Sequence, residues 1–288
     1  MSFRVTLPCT RGQGEAIGET GDLLPDVVLV ADEPDASKPD EWLIHGYFEH
    51  PPTDDELETL RALGSGEPRV EELGEADWVT MSQSGLQPIR AGRFTVHTPT
   101  YPPEPDRINF EIDASLAFGT GQHATTSGCI EALDRLEREG KRFANIADIG
   151  TGTGLLAFAA LVLWPEAKCI ATDVDSVAVA VARDNAAINR VKLGHGAGEL
   201  LLARVDGMDS PLLAARAPFD LIIANILAGP LIELAPHFSR SLAAAGTIVL
   251  AGLLDTQAES VVGAFEAEDL SLRDRRFGEW PVLVCERA

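Results

Sequence analysis

The chain has 288 residues, is 45% hydrophobic and carries 45 Asp and Glu against 23 Lys and Arg, a formal net charge of -22. That length can bury at least one full core and predicts two unequal ones, while so acidic a composition argues against nucleic acid as the main partner. No apolar run reaches the roughly 18 residues of a membrane span, and Met1-Ser2-Phe3-Arg4-Val5 lacks the charged-then-apolar order of a signal peptide, so a cytoplasmic protein is expected. Cys9, Cys129, Cys169 and Cys285 form no C-x-x-C pair and have no histidine at ligand spacing. They are expected to be reduced, packed residues, with no metal site.

Residues 1–63 read as a small α+β domain. Apolar runs at 3–7, 27–31 and 42–48 predict strands, and a helix follows over 53–63. Thr53 precedes Asp54, Asp55 and Glu56, which offers a capping box and places acids at the positive end of the helix dipole, while Leu57, Leu60 and Leu63 repeat on one face. Gly12, Gly14, Gly18 and Gly21 argue against a continuous helix over 10–22, at about 1 kcal/mol per position relative to alanine. Gly64-Ser65-Gly66-Glu67-Pro68 breaks the pattern. Residues 64–107 are expected to be the linker into the second domain, with a short strand near Val70, a helical turn at Asp77-Trp78, a strand at 94–97 and a proline-rich run at 99–105.

From 108 to 288 strand and helix patterns alternate, the signature of a parallel sheet covered on both faces. Strands are predicted at 145–149, 168–173, 200–205, 220–225, 247–250, 270–277 and 282–286, and helices at 123–139, 154–164, 176–189, 230–244 and 255–268. Only Gly278-Glu279-Trp280-Pro281 separates the last two strands, too little for a crossover, so they should form an antiparallel hairpin at one edge. The fold class expected is α/β: a doubly wound, seven-stranded Rossmann-like sheet with a small N-terminal α+β domain.

Three segments carry chemistry. Ile146-Ala147-Asp148-Ile149-Gly150-Thr151-Gly152-Thr153-Gly154 runs from an apolar strand into a turn with glycine at alternate positions, where backbone N–H groups can approach a ligand. Asp173 ends the next strand, 23 positions after Gly150, where it can take both hydroxyls of a ribose; Asp175 or Ser176 would cap the following helix. A dinucleotide site would need glycine at 155, where this chain has Leu155. The plain alternative is a strand-to-helix turn without a ligand. In the second segment, Asp220-Leu221-Ile222-Ile223-Ala224-Asn225, a buried strand delivers Asn225 to its carboxyl end, where it can accept from an amine or else cap the next helix. The third, Phe118-Gly119-Thr120-Gly121-Gln122-His123-Ala124-Thr125-Thr126, brings glycines and hydroxyls to a helix N-terminus and can fold over a ligand. Thr125 or Thr126 would otherwise serve as the cap.

The D-x-G-x-G-x-G pattern resembles the cofactor loop of S-adenosylmethionine-dependent methyltransferases. Together with Ala117-Phe118-Gly119-Thr120-Gly121-Gln122-His123-Ala124-Thr125-Thr126 and Asn225-Ile226-Leu227-Ala228-Gly229-Pro230-Leu231, it resembles the bacterial ribosomal protein L-eleven methyltransferase family over about residues 108–288. The resemblance implies a methyl donor, S-adenosylmethionine, contacted by Thr126, Gly150, Gly152, Asp173 and Asn225, with Phe118 and Thr120 lining the covering loop. It implies that lysine side chains and an N-terminal amine of a basic large-subunit ribosomal protein are methylated; Asn225 would position the amine, and no general base is assigned. Residues 1–63 would recognise that substrate. Asp113-Ala114-Ser115 departs from the family's Asp-Pro-Gly before the loop. The rivals are a methyltransferase acting on another protein, such as on a glutamine amide, a non-catalytic nucleotide-sensing protein of the same fold, and a dehydrogenase. Asn225-Ile226-Leu227-Ala228 in place of Asn-Pro-Pro-Tyr disfavours the first, and Leu155 the last.

Overall fold

Alternation along β1 (Ser2–Cys9) organises the first part of the chain: Val5, Leu7 and Cys9 are buried, while Arg4, Thr6 and Pro8 reach outward. In this computed structural model, which describes residues 2–16, 24, 27–32, 42–48, 50–73, 88–112 and 122–287, the chain separates into two compact units, Met1–Gly85 and Leu86–Ala288. β1 pairs antiparallel with β3 (Trp42–Phe48) on one side and β4 (Arg69–Leu73) on the other, and β2 (Val28–Asp32) completes a sheet ordered β2-β3-β1-β4.

Within residues 10–22, where the glycines argue against a continuous helix, a short one forms, α1 (Arg11–Ala16). Thr10 and Gln13 cap it reciprocally, with the Gln13 side chain accepting the Thr10 N–H at 2.9 Å. Gly14 is required by packing, since a Cβ there would stand 2.6 Å from the Trp42 ring. Gly18 and Gly21 lie outside the described residues. α2 (Asp54–Leu63) has the expected capping box, with Glu56 accepting the Thr53 N–H at 2.7 Å, and it buries Leu60 against Val5 and Phe48.

Residues 64–107 are not a linker throughout. β4 closes the first sheet and is held there by an ion pair between Arg4 and Glu71. Further on, β5 (Ile89–Ala91), β6 (Phe94–His97) and β7 (Ile108–Glu111) form a three-stranded sheet of the second unit. What recruits these strands is aromatic burial: Phe94 stacks on Phe110 with centroids 5.8 Å apart, and Phe110 meets Phe158 at 6.2 Å. The expected turn at Asp77-Trp78 lies outside the described residues.

The second unit continues through α3 (Gln122–Arg138), β8 (Asn145–Ile149), α4 (Leu155–Leu163), β9 (Lys168–Asp173), α5 (Ser176–Ile188), β10 (Leu200–Arg204), α6 (Pro211–Arg216) and β11 (Phe219–Asn225). It ends with α7 (Ala228–Ser241), β12 (Leu242–Ala251), α8 (Ala258–Glu266), β13 (Leu270–Arg276) and β14 (Val282–Arg287). The seven-stranded sheet is ordered β10-β9-β8-β11-β12-β14-β13, parallel from β10 to β12, with β14 antiparallel to both its neighbours. The edge hairpin is thus as expected. α6, a six-residue helix capped by Ser210, was not foreseen because one turn is too short to show a period.

Continuous apolar runs in β8, β9 and β11 are buried because both faces are covered, one by α3 and α4, the other by α7 and α8. From β8 the chain winds outward through β9 and β10, then returns to β11 on the other side of β8. The strand order therefore reverses between β8 and β11, and a crevice opens at their carboxyl ends. All four cysteines are buried. Among the described residues no cluster of metal-ligating side chains occurs, and no helix is long and apolar enough to cross a membrane.

Candidate functional site

A cavity of about 560 Å³ lies at this reversal point, within the range of small-molecule sites. The turn after β8 supplies Gly150, Thr151, Gly152 and Thr153; α5 supplies Val177, Ala178 and Val181, with Asp175 just before it. Asn225, Ile226 and Leu227 follow β11, Gly252 follows β12, Trp280 precedes β14, and Thr125 and Thr126 come from α3.

Gly150, Gly152 and Gly154 all have positive φ, and the Gly150 and Thr151 N–H groups both donate to the Thr172 carbonyl, at 2.8 and 2.9 Å. This doubles the chain back at the end of β8. Ile226 fills the space that a side chain at 150 would need, since a Cβ on Gly150 would stand 2.3 Å from its Cγ2. On its other side the Ile226 carbonyl lies 2.4 Å from where a Cβ on Gly252 would be. Ile226 is thereby wedged between two glycine turns, and the wedge fixes the backbone that presents Asn225.

Asp173 does not itself line the cavity. Its Oδ2 accepts the Gly152 N–H at 2.9 Å and its Oδ1 the Asp175 N–H at 3.0 Å, so it ties the glycine turn to the end of β9. A carboxylate has about four acceptor sites, and two of these remain. Asp175 accepts the Val177 N–H at 2.8 Å and caps α5, which is the division of labour expected for the two acids.

Asn225 is not a helix cap. Leu227 occupies the N-cap position of α7, and the Asn225 side chain makes no hydrogen bond among the described residues. Its amide therefore stands free in the cavity. Thr125 and Thr126 are not caps either, because α3 starts at Gln122 and carries both within its first turns. Of the residues expected at the site, Thr126, Gly150, Gly152 and Asn225 are brought together in the cavity wall, and Asp173 backs it. Phe118 and Thr120 lie outside the described residues.

The sequence reading gave no role of their own to Asp148, Ile226, Gly252 and Trp280. Asp148 is buried beneath the turn; its Oδ2 accepts the Thr151 hydroxyl at 2.6 Å and its Oδ1 has no partner in hydrogen-bonding geometry. Burial raises its carboxyl to about 7, opposed by the Thr151 hydroxyl and the Ala157 N–H and reinforced by the charge of Asp173. An acid inside an otherwise apolar strand was the available signal. Trp280 showed only as part of a tight turn.

A parallel sheet closed by an antiparallel pair, over an alternate-glycine turn that lacks the third dinucleotide glycine, defines the class: a Rossmann-like methyltransferase. A sequence profile described as ribosomal protein L11 methyltransferase (PrmA) matches residues 9–288, and the chain belongs to that family. A ribosomal protein L11 methyltransferase of Brucella abortus (strain S19) is 45% identical over 211 residues, covering 73% of this chain and 72% of the relative. One from Rhodopseudomonas palustris (strain BisB5) is 38% identical over 287 residues, covering 95% and 92%. Among solved structures, a ribosomal protein L11 methylase from Lactobacillus delbrueckii subsp. bulgaricus superposes with a TM-score of 0.58 at 29% identity, covering 70% of this chain and 99% of that one.

Proposed function

We propose that this protein transfers methyl groups from S-adenosylmethionine to amino groups, lysine side chains and an N-terminal amine, of the large-subunit ribosomal protein L11 in the cytoplasm. The observation that carries the reading is one continuous cavity joining the glycine turn to the free amide of Asn225. The residues suit the donor: nothing stands within 4 Å of the Cβ position of Gly152, and Asp173 keeps acceptor capacity for a ribose. When bound, the donor supplies an already activated methyl group on a sulfonium.

The chain's own work is then positioning. Thr126, Gly150, Gly152 and Asp173 hold the donor, with Phe118 and Thr120 assigned to its cover. The Asn225 Oδ1 accepts from the incoming amine and aims its lone pair along the attack line. No general base is assigned. Asp175 is the single ionisable side chain among the described lining residues, and it is engaged as a helix cap. Deprotonation of the amine is left to solvent.

Docking is assigned to the first unit. Residues 1–85 carry 19 of the 45 acids but only 5 of the 23 bases, which suits a basic ribosomal protein and not RNA. The test is incubation of the full chain with methyl-labelled S-adenosylmethionine and purified L11, followed by mapping of the label. Label on lysine and N-terminal nitrogens is expected. Absence of label on L11, with transfer to another protein or to none, would refute the assignment.

A further inference from the structure

Two asparagines one turn apart, Asn185 within α5 and Asn189 at its C-cap, make hydrogen bonds that reach beyond their helix. Asn185 is 1% exposed, and an amide buried that deeply is costly unless its polar atoms are engaged. Its Nδ2 donates to the Thr153 carbonyl at 3.2 Å. That carbonyl belongs to the glycine turn. The first rung of α4 runs from the Phe158 N–H to the Gly154 carbonyl, at 3.0 Å, which leaves the Thr153 carbonyl outside the helical ladder. α5 comes close enough to serve it because residue 154 is glycine: a Cβ there would stand 3.3 Å from the Ala182 Cβ and 2.6 Å from the Phe158 ring.

Asn189 works outward from the same helix. Its Nδ2 donates to the Asn185 carbonyl at 2.8 Å and to the Glu111 carbonyl at 2.7 Å, while its Oδ1 accepts the Glu111 N–H at 2.9 Å. β7 is an edge strand of its three-stranded sheet, and the Asn189 amide gives Glu111 the pair of bonds that a further strand would give. The opposite end of α5 lines the cavity through Val177, Ala178 and Val181. One helix thus touches the cavity, the glycine turn and the neighbouring sheet. We propose that Asn185 is a positioning residue for the methyl donor, acting through the Thr153 carbonyl on the turn that carries Gly150 and Gly152, and that Asn189 links the occupied turn to the edge of β7. This deepens the S-adenosylmethionine reading above and rests on it. Without the Asn185 amide the Thr153 carbonyl loses its donor, and the turn can drift from the position in which the Gly152 N–H meets Asp173.

The full-length protein and its Asn185→Ala, Asn185→Ser and Asn189→Ala variants, with S-adenosylmethionine, S-adenosylhomocysteine and purified L11, provide the test. Asn185→Ala should raise Kd for both small molecules, read by calorimetry, about tenfold. KM for S-adenosylmethionine should rise in step, while kcat at saturating donor and KM for L11 stay within about twofold. Asn185→Ser, which keeps a hydroxyl at the site, is the milder change, and the same direction is expected of it. Independently of activity, exchange of the Glu111 N–H in the wild type should slow about tenfold on saturation with S-adenosylhomocysteine, and in Asn189→Ala it should be fast with or without it. Wild-type Kd in a folded Asn185 variant would overturn the positioning role, as would a loss spread equally over donor affinity, kcat and KM for L11. Glu111 exchange indifferent to S-adenosylhomocysteine in the wild type, or slowed equally in Asn189→Ala, would overturn the link to β7. A wild-type protein that binds neither small molecule would remove the reading underneath as well.

Discussion

Asp148 makes the glycine turn sensitive to pH, and the size of the effect follows from its burial. Its carboxyl is raised from 3.8 to about 7, first by desolvation, so in the folded protein it keeps a proton that the unfolded chain has already released by neutral pH. The folded state therefore binds more protons between the two values. The stabilising contribution is fully present below about pH 4 and is lost as pH rises through about 7. Some three pKa units at about 1.4 kcal/mol each bound the whole effect near 4 kcal/mol, of which about 3 kcal/mol falls between pH 5 and pH 8.

Asp148→Asn removes the titration while keeping an acceptor for the Thr151 hydroxyl. In urea denaturation of the full chain, followed through amide exchange in β8, the stability difference between wild type and variant should move by about 3 kcal/mol in the variant's favour from pH 5 to pH 8. Every group common to the two proteins cancels in that double difference. A difference independent of pH would show that Asp148 is ionised throughout, and the account of an acid protonated beneath the turn would fail.

Asp173→Ala should weaken S-adenosylmethionine binding by roughly 1.5–3 kcal/mol and, by orphaning the Gly152 and Asp175 N–H groups, lower stability by about 1–3 kcal/mol; calorimetry on a folded variant with wild-type affinity would move the ribose site elsewhere. Asn225→Ala should lower the single-turnover rate with both substrates saturating, while leaving α7 intact because Leu227 holds its N-cap position; a wild-type rate would end its positioning role. A chain beginning at Leu86 should still bind S-adenosylmethionine yet lose most L11 methylation, and for the full chain the L11 association rate should fall with salt while donor affinity changes little. Equal L11 activity of the shortened and full chains would take docking away from the first unit. A start near 105 would remove β5 and β6 and uncover Phe110, so the boundary itself is part of that test.

What was legible in the sequence is what periodicity and glycine spacing encode. β8, β9 and β11 are short apolar runs ended by Gly150, Asp173 and Asn225, and each residue stands at a strand's carboxyl end as its spacing predicted. Less legible were elements whose stability comes from distant partners. β5 and β7 have three and four residues; β7 is held by Phe110, which meets Phe94 and Phe158, and β5 by its pairing with β6, while α1 lies against Trp42 because Gly14 leaves room for the ring. The protonation of Asp148 depends on burial from several elements at once, so no local pattern contains it.

The glycines of the turn illustrate why a motif is only half of a site. From sequence alone, Gly150 and Gly152 have the same meaning, a backbone open to a ligand. In the fold they divide: Gly152 faces open space, whereas the room beside Gly150 is taken by Ile226, from a strand end 76 positions later. The demand for glycine at 150 is thus partly one of internal packing, and it couples the donor turn to the segment that carries Asn225. That coupling accounts for the two motifs occurring together in one chain more directly than shared contact with a ligand does, since Ile226 touches both the turn after β8 and the turn after β12. Donor and acceptor ends of the cavity are held in register by a single side chain with no chemistry of its own.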